Sequence, residues 1–586
     1  MTHSPAVAKC LKLIGPTSTD EEKFAGLLLI PRMFDPNDSA ALSQVLDHMD
    51  SRFVPRLLHT PADDANAQAY RETALAVIAS FCSHSTLVTH TKLSSLVPDL
   101  IQLLRLALPQ PDQSLVADVL PILTQLLSQP PGLSQVCTYG PDLPLLLLQV
   151  LQASVDRSAY PLISMLWKTL LSELPRLSHE LGPNWLSVWA QSLYACISRL
   201  QSTDPTHQME PLGALCEALT QIDDAGCHHI AQCYSLDLPA AVTLTTVQWL
   251  TPLNTPTNSI VFLLRAFIKL KQVLVDLFRQ HKGSYELKDT GLIVASEMVR
   301  LFGNAFIAAV GAPDFPLLNS LVADAIAEGS PEPANVGATT FLAAETSTTV
   351  TKFVPLLVRV AVVELRLALD DVMLCPPDRA LSELTAKRLP WLVGACCHIA
   401  EQAISTLVVA DDPKAYEQPE DTTLLPRSGP TTVRLPLAYF QHMVGYTVTH
   451  LPSSDIATWF THLKDAFRAI VEFLEDRQSR GHSTLQLLTT PEPVAAFRSL
   501  CCWLAQDVTL LQEKPDLVQL VGHVIETCAV HADAVSAVLP LMVPVVQHWE
   551  SIAPKADKEP WTTEMVQQLH AMTQTLNTLL GPGWNA

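Results

Sequence analysis

Cys227, His228, His229 and Cys233 make up the one cluster in this chain whose side chains are all metal ligands by type. A structural zinc site needs four convergent ligands, usually supplied as two separated pairs. On a helix His229 and Cys233 share a face at i, i+4, whereas Cys227 and His228 project elsewhere. The spacing therefore predicts a helix junction with a buried cysteine and no metal site. Cys396-Cys397-His398 offers a nucleophile beside a base, but adjacent helical residues diverge and do not face one another, and no flanking cation activates a thiol. Core cysteines with a partly exposed histidine are expected there, and the same holds for Cys501-Cys502-Trp503. Cys10, between Lys9 and Lys12, is the candidate for S-acylation. A single acyl chain gives only marginal membrane attachment, so stable anchoring needs a second signal. Phosphate-cradling glycine loops, G-x-S-x-G elbows and H-E-x-x-H pairs are missing from the sequence. No catalytic, cofactor-binding or metal-binding residue is expected.

The elements that would have to position any such group are helical. Of the 586 residues 48% are hydrophobic and only 16% charged, with a mean hydropathy of +0.23. Disordered chains are the reverse, poor in apolar residues and rich in charge. Glycine is scarce (20) and proline plentiful (44), roughly one proline per helix of ordinary length, ~11–12 residues. Proline is tolerated in a first helical turn and between helices, so it reads as punctuation in a chain of helices. A β-sandwich or barrel would need many more turn glycines and short strands.

Thr19 fits a helix N-cap, and Glu22 three residues later completes a capping box. Phe24, Leu27 and Leu28 follow on one face, and Pro31 is expected to end or kink that helix near Ile30. Tyr70, Ala74, Val77, Ile78 and Phe81 make a core-facing stripe. After a break at Ser83-His84-Ser85 come Leu93, Leu96, Val97, Leu100, Ile101, Leu103 and Leu104, with Pro98 placed to start a helix. Asp112–Ser128 reads as the next helix. The alternation of helix and short turn continues through 143–151, 160–174, 185–200, 212–219, 242–250, 260–278 and 287–310. It resumes over 437–451, 456–474, 494–511, 517–530, 534–546 and 565–580. This is the pattern of armadillo and HEAT-like arrays, here without a strict repeat period. The predicted fold class is an all-α, armadillo/HEAT-like α-solenoid of divergent helical repeats with loop insertions.

The domain reading follows. Residues 1–18 are expected to be a flexible tail, 19–328 an N-terminal helical array, and 329–350 a loop rich in Thr and Ala. The array continues over 351–410. An acidic, proline-rich loop occupies 411–436, with Asp411, Asp412, Glu417, Glu420 and Asp421, and is taken as the main boundary before a C-terminal block, 437–586.

The net charge is −21, and no Lys/Arg cluster supplies the basic stripe that nucleic acid requires. The expected partners are proteins, with basic segments favoured by the acidic surface. Thirteen cysteines set largely in apolar runs, with no secretory leader before them, point to a reducing, cytosolic compartment. The best membrane-span candidate, 353–369, is interrupted by Arg359, Glu364 and Arg366.

Three early segments, DEEKFAGLLLIPRMF (20–34), FVPRLLHT (53–60) and ETALAVIASFCSHSTLVTHTKLSSLVPDLIQLL (72–104), resemble the start of the neurochondrin family. FVPLLVRVAVVELRLAL (353–369), LVGACCHIAEQAI (392–404) and FRSLCCWLAQD (497–507) resemble the same family in the same order. That resemblance implies an armadillo-like helical fold and a cytosolic protein without enzymatic activity. It also implies a role in signalling and, in animals, neurite outgrowth, exercised through protein partners. Two positions depart from the family pattern. Pro31 stands where an ordinary helix residue is usual, and the lone Cys10 stands where some animal members carry a lipidated cysteine pair. Membrane anchoring is therefore not carried over, and peripheral association rests on Cys10 alone.

The expected function is a non-enzymatic interaction scaffold or adaptor without cofactors. The alternative is a HEAT-like structural subunit of a trafficking or assembly complex, which would need exposed apolar patches.

Overall fold

The computed structural model describes residues 5–15, 17–33, 39–61, 63–108, 113–153, 159–182, 184–200, 205–234, 238–239, 257–279, 285–302, 306, 337–376, 382–411, 432–433, 453–531, 538–553 and 561–580. These residues are helical almost throughout, and they form two compact units that divide at Leu270/Lys271.

The first unit contains α1 (Pro5–Ile14), α2 (Asp20–Met33), α3 (Ser39–His48), α4 (Phe53–Leu58), α5 (Ala67–Cys82), α6 (Ser85–Val88), α7 (Thr91–Ser94) and α8 (Val97–Ala107). It continues with α9 (Gln113–Leu127), α10 (Pro130–Tyr139), α11 (Leu143–Ala153), α12 (Tyr160–Arg176), α13 (Trp185–Arg199), α14 (Pro205–Thr220), α15 (Asp224–Tyr234) and the start of α16 (Thr257–Arg279). Two rows emerge from the packing. One runs α4, α8, α11, α13, the other α2, α5, α9, α12, α15, and the rows meet where α4 packs on α5, α8 on α9 and α13 on α12. A helix so placed must be apolar on most of its circumference. This explains α11, sequence LPLLLLQVLQA, in which Leu143, Leu146, Leu147, Val150 and Leu151 are all buried.

Local chemistry sets where helices begin and end. The capping box at α2 is formed: Glu22 Oε2 accepts from Thr19 N at 3.0 Å, and Thr19 Oγ1 accepts from Glu22 N at 3.3 Å. Pro31 does not end α2, which runs on to Met33; its missing N–H falls in the exposed last turn, where the loss of one bond is tolerated. The last turn of α3 is closed from outside. Lys92 Nζ donates to the carbonyls of Leu46, Asp47 and Met49 at 3.0, 2.6 and 3.0 Å. The stripes read from the sequence at Ala74, Val77, Ile78 and Phe81, and from Leu93 to Leu104, are buried. In α9 Val116 takes the buried place and Leu115 is only half-buried.

The second unit takes α16 from Lys271, α17 (Tyr285–Phe302), α18 (Gly337–Leu374), α19 (Glu383–Asp411), α20 (Ser453–Ser479) and α21 (Thr484–Thr489). It ends with α22 (Pro491–Leu504), α23 (Thr509–Glu513), α24 (Leu517–Val530), α25 (Leu539–Ile552) and α26 (Thr563–Leu580). The two-row scheme recurs, with α17, α19, α22 and α25 in one row and α18, α20, α21, α24 and α26 packed in turn along the other. Between α20 and α21 the chain turns at Gly481 (φ 86°). His482 N donates to Arg477 O across that turn, and Ser483 and Gln486 then form a second capping box. The two-residue strands β1 (Leu238–Pro239) and β2 (Thr432–Val433) pair antiparallel, Leu238 with Val433.

The domain reading needs three corrections. The expected tail 1–18 contains α1, because Cys10 and Ile14 bury one face against α2, where Gly26 allows close approach: a Cβ there would stand 2.6 Å from Ile14 Cγ2. The expected loop 329–350 is helical from Gly337, since its Ala/Thr run extends the apolar helix behind it. The boundary expected at 411–436 does not divide the unit, because α18 packs on α20 and α19 on α22. Except for Asp411 and Thr432–Val433, that acidic segment lies outside the described residues, as do the predicted helices 242–250 and 437–451. Proline is not simply punctuation either: Pro121, Pro175, Pro355, Pro390 and Pro544 lie within helices.

An ion cluster joins the rows of the second unit. Arg388 of α19 donates through Nη2 to Asp289 Oδ1 of α17 at 2.8 Å and approaches Glu364 Oε2 of α18 at 3.4 Å. The Asp289 and Glu364 side chains are only 10% and 9% exposed. Burial, reinforced by Asp289 and opposed by Arg388, raises the Glu364 carboxyl above its usual range. Arg388→Met should therefore lower stability by about 3 kcal/mol, since it strands two buried carboxylates; urea unfolding at pH 7 measures this, and a change below ~0.5 kcal/mol would show the cluster to be dispensable.

Lys271 is fully buried, with its ammonium 5.4 Å from the Phe306 ring centre and 5.5 Å from that of Phe353. Burial lowers its pKa from 10.5 to about 7. Between those values the unfolded chain binds the extra proton, so stability rises with pH across the window. Lys271→Met should flatten that rise, with its stabilisation over wild type greatest below pH 7 and levelling off above pH 10.5, as read from denaturation midpoints at stepped pH.

Candidate interaction groove

Among the described residues, those singled out by type do not assemble into a metal site. Cys227 is half-buried, and His229 bonds through Nδ1 to Pro175 O at 3.3 Å and lies against His179, ring centres 6.4 Å apart. The side chains of His228 and Cys233 lie outside the described residues, and no group of three or more metal-ligand side chains occurs among those described. Cys396, Cys397 and Cys501 are buried, as expected of core cysteines; burial raises Cys397 to about 12 and Cys396 and Cys501 well above the ordinary value. Cys502 is half-buried and Trp503 is core, stacked on Phe467 at 4.9 Å. The acylation candidate Cys10 is 0% exposed, its Sγ 3.6 Å from Gly26 O and its pKa raised by burial to about 11. Acylation there requires α1 to leave α2.

His398 alone takes part in a surface feature. In α19 the stripe Leu389, Leu392, Val393, Cys396, Ala400 and Ala403 is buried, and the other face carries Trp391, Gly394, His398 and Glu401. With Ile293, Ser296, Glu297 and Arg300 of α17 and Arg498 of α22, that face lines an open groove of about 450 Å³ along one row of the second unit. Trp391 is 62% exposed; the other tryptophans among the described residues are buried or half-buried. Pro390 and Gly394 flank it. Around Gly394 a Cβ would meet nothing within 4 Å, so no packing requires glycine, although glycine within a helix costs ~1 kcal/mol relative to alanine.

At its other end the groove is charged. Glu401 Oε1 accepts from Arg498 Nε at 2.8 Å and from Ser499 Oγ at 2.6 Å, and Arg300 Nε donates to Glu297 Oε2 at 2.7 Å. Ser296 Oγ and His398 Nδ1 are 3.1 Å apart. Burial holds His398 below its ordinary pKa; Glu401 opposes this, and Arg498 and Arg300 reinforce it. Serine, histidine and glutamate thus meet, but not as a catalytic triad. Ser296 is 4% exposed in mid-helix, and the Glu401 oxygen that accepts hydrogen bonds is occupied by Arg498 and Ser499. Sequence reading missed Trp391, Glu401 and Arg498, although a helical projection places Trp391 and Glu401 off the apolar stripe.

A second concavity, of about 430 Å³, lies in the first unit between α5 and the start of α9 and is lined by Asp63, Asp64, Glu72 and Asp118 with Arg71. Arg71 is tied back, donating through Nη2 to Thr60 O.

Helices packed in two rows within each unit define an all-α protein of the armadillo/HEAT-like class. Residues 1–221 match the family model described as Neurochondrin, so that segment is similar to the neurochondrin family. It is 29% identical over 112 residues to the neurochondrin homolog of Drosophila melanogaster, covering 18% of this chain and 16% of that protein. It is 28% identical over 148 residues to neurochondrin of Gallus gallus, covering 24% of this chain and 21% of that protein. The match thus spans less than a quarter of either relative. Among solved structures, yeast importin-beta (Kap95p) aligns over 97% of this chain and 72% of its own, at 12% identity and a TM-score of 0.26. An engineered protein aligns over 51% of this chain and 98% of its own, at 13% identity and a TM-score of 0.31. The fold class rests on the helices described above and not on these likenesses. No helix among the described residues is long and apolar enough to cross a membrane.

Native-state thiol titration at pH 8 should leave Cys10, Cys82, Cys137, Cys196 and Cys397 unreacted while half-buried Cys216, Cys227 and Cys375 are modified. Labelling of Cys10 as fast as Cys375, located by peptide mass mapping, would show that α1 is not held against α2.

Proposed function

We propose that this chain is a non-enzymatic, cytosolic interaction scaffold of the neurochondrin type that modulates signalling through protein partners, in animals in neurite outgrowth. The observation that carries this reading is the groove on α17, α19 and α22, where a mostly exposed tryptophan stands on a helix whose opposite face is consumed by the core. Exposed tryptophan and arginine are the residue types that dominate binding energy at protein interfaces. The family match over residues 1–221 supports the assignment by analogy. The charge of −21 and the cleft at Asp63, Asp64, Glu72 and Asp118 favour basic partner segments, an attraction that salt weakens.

One observation favours the alternative, a structural subunit of a trafficking or assembly complex. Val363, Leu367 and Leu374 of α18 are 48%, 50% and 81% exposed and share one helix face. An obligate subunit aggregates when isolated, whereas a scaffold is monodisperse by light scattering.

Proximity labelling with the full chain in its native cell should return a reproducible set of proteins. In pull-downs their recovery should fall as salt is raised and on deletion of residues 411–436. A labelled set no different from that of an inert control protein would end the scaffold reading. Recovery indifferent to both salt and the deletion would remove the acidic segment as a contact site.

A further inference from the structure

The charges of the α19 groove are layered. Its carboxylates lie deep, with the Glu297 and Glu401 side chains 17% and 16% exposed, while the Arg300 and Arg498 side chains paired with them are 29% and 42% exposed. A ligand approaching from solvent meets guanidinium first. Arg498 uses Nε for Glu401, and its two Nη groups have no partner among the described residues, which leaves free the edge that grips a carboxylate in two parallel hydrogen bonds. His398 stands beside it with Nδ1 engaged by Ser296, so Nε2 remains for a ligand. On a chain of net charge −21, this groove has a cationic rim.

Its lining is apolar elsewhere: Ile293, Pro390 and Ala395 line it together with the exposed Trp391. Between Trp391 and His398 lies Gly394, whose missing side chain is explained by no neighbour and keeps the floor low enough for another backbone to lie on it. Ten residues of helix separate Trp391 from Glu401, the partner of Arg498. That rise of ~15 Å equals four to five residues of extended chain.

We propose that this groove docks an acidic segment of a partner protein, one carboxylate forked onto Arg498 and an apolar side chain four or five residues away packed on Trp391. The inference rests on the scaffold reading and departs from its general preference for basic partners. The charge order of the groove selects the opposite sign locally: Glu401 and Glu297 lie deeper and are each already paired with an arginine, so the exposed Nη edge of Arg498 meets a ligand first, and the chain's remaining carboxylates act on it only through screened repulsion.

The probe is a displayed library of random 12-residue peptides, selected on the full chain and re-bound to Trp391→Ala and Arg498→Ala. The expected peptides share an Asp or Glu four or five positions from a large apolar residue. They should lose at least tenfold in affinity with either variant, and replacing their acidic residue by its amide should cost a similar factor. Trp391→Ala removes an exposed side chain and keeps the wild-type melting curve, so it remains informative if Arg498→Ala destabilises the fold by stranding Glu401. Selected peptides that are basic, that bind both variants as tightly as wild type, or that fail to appear at all would overturn the proposal. If groove-dependent peptides are lacking while proximity labelling still returns partners, only this inference falls. If labelling returns none, the scaffold reading falls independently.

Discussion

A helix inside either unit buries contacts in two directions at once, against its neighbours within a row and against the facing row. This requirement governs composition, loop length and the location of charge. A helix with a single partner needs one apolar stripe, whereas one enclosed on several sides needs most of its circumference apolar, as in α11 and α13. It also explains why cysteine is used so freely. A small, polarizable side chain fits between closely spaced helices, and Cys82, Cys137, Cys196, Cys396, Cys397, Cys501 and Cys528 all lie there. Burial that raises a thiol's pKa also makes it chemically quiet, so the clusters that look reactive in the sequence act as packing residues.

Several polar groups that enter these interfaces do so with partners, whereas the buried indole N–H groups of Trp167, Trp503 and Trp549 have none among the described residues. Lys92 closes the end of α3, Arg480 donates to the carbonyls at the end of α18, and Trp189 Nε1 donates to Leu171 O at 2.9 Å. Arg388 with Asp289 and Glu364 does the same for three helices at once. Such groups contribute little net stability where they pair. They impose register, because a helix displaced by one turn would leave a buried charge without its counterpart.

The groove on α17, α19 and α22 follows from the same geometry. Parallel neighbours in a row leave a furrow between their outward faces. Its chemistry is set by whatever residues the core does not claim, here Trp391, Gly394, His398, Glu401 and Arg498. Glu401 pairs with Arg498 across helices and Glu297 with Arg300 along α17, so the furrow is built from prearranged side chains and not from a loose collection of surface charges.

Much of this was legible in the sequence, because helical periodicity, capping boxes and apolar fraction are local properties. Thr19 with Glu22, the stripe ending at Phe81 and the core placement of Cys396 and Cys397 depend on residues within a few turns of one another. Two things depended on distant partners and were misread or missed: the helix at residues 5–14, and the packing of α18 and α19 against α20 and α22; the helical start at Gly337 was missed although it continues the adjoining helix. The sequence by itself determined that the chain is a succession of apolar-faced helices, since that follows from residue type and spacing. Only the tertiary structure decided which faces remain exposed, because bringing Trp391 and His398 into one groove with Arg498, about a hundred residues away, requires parallel helices of a row to be packed side by side.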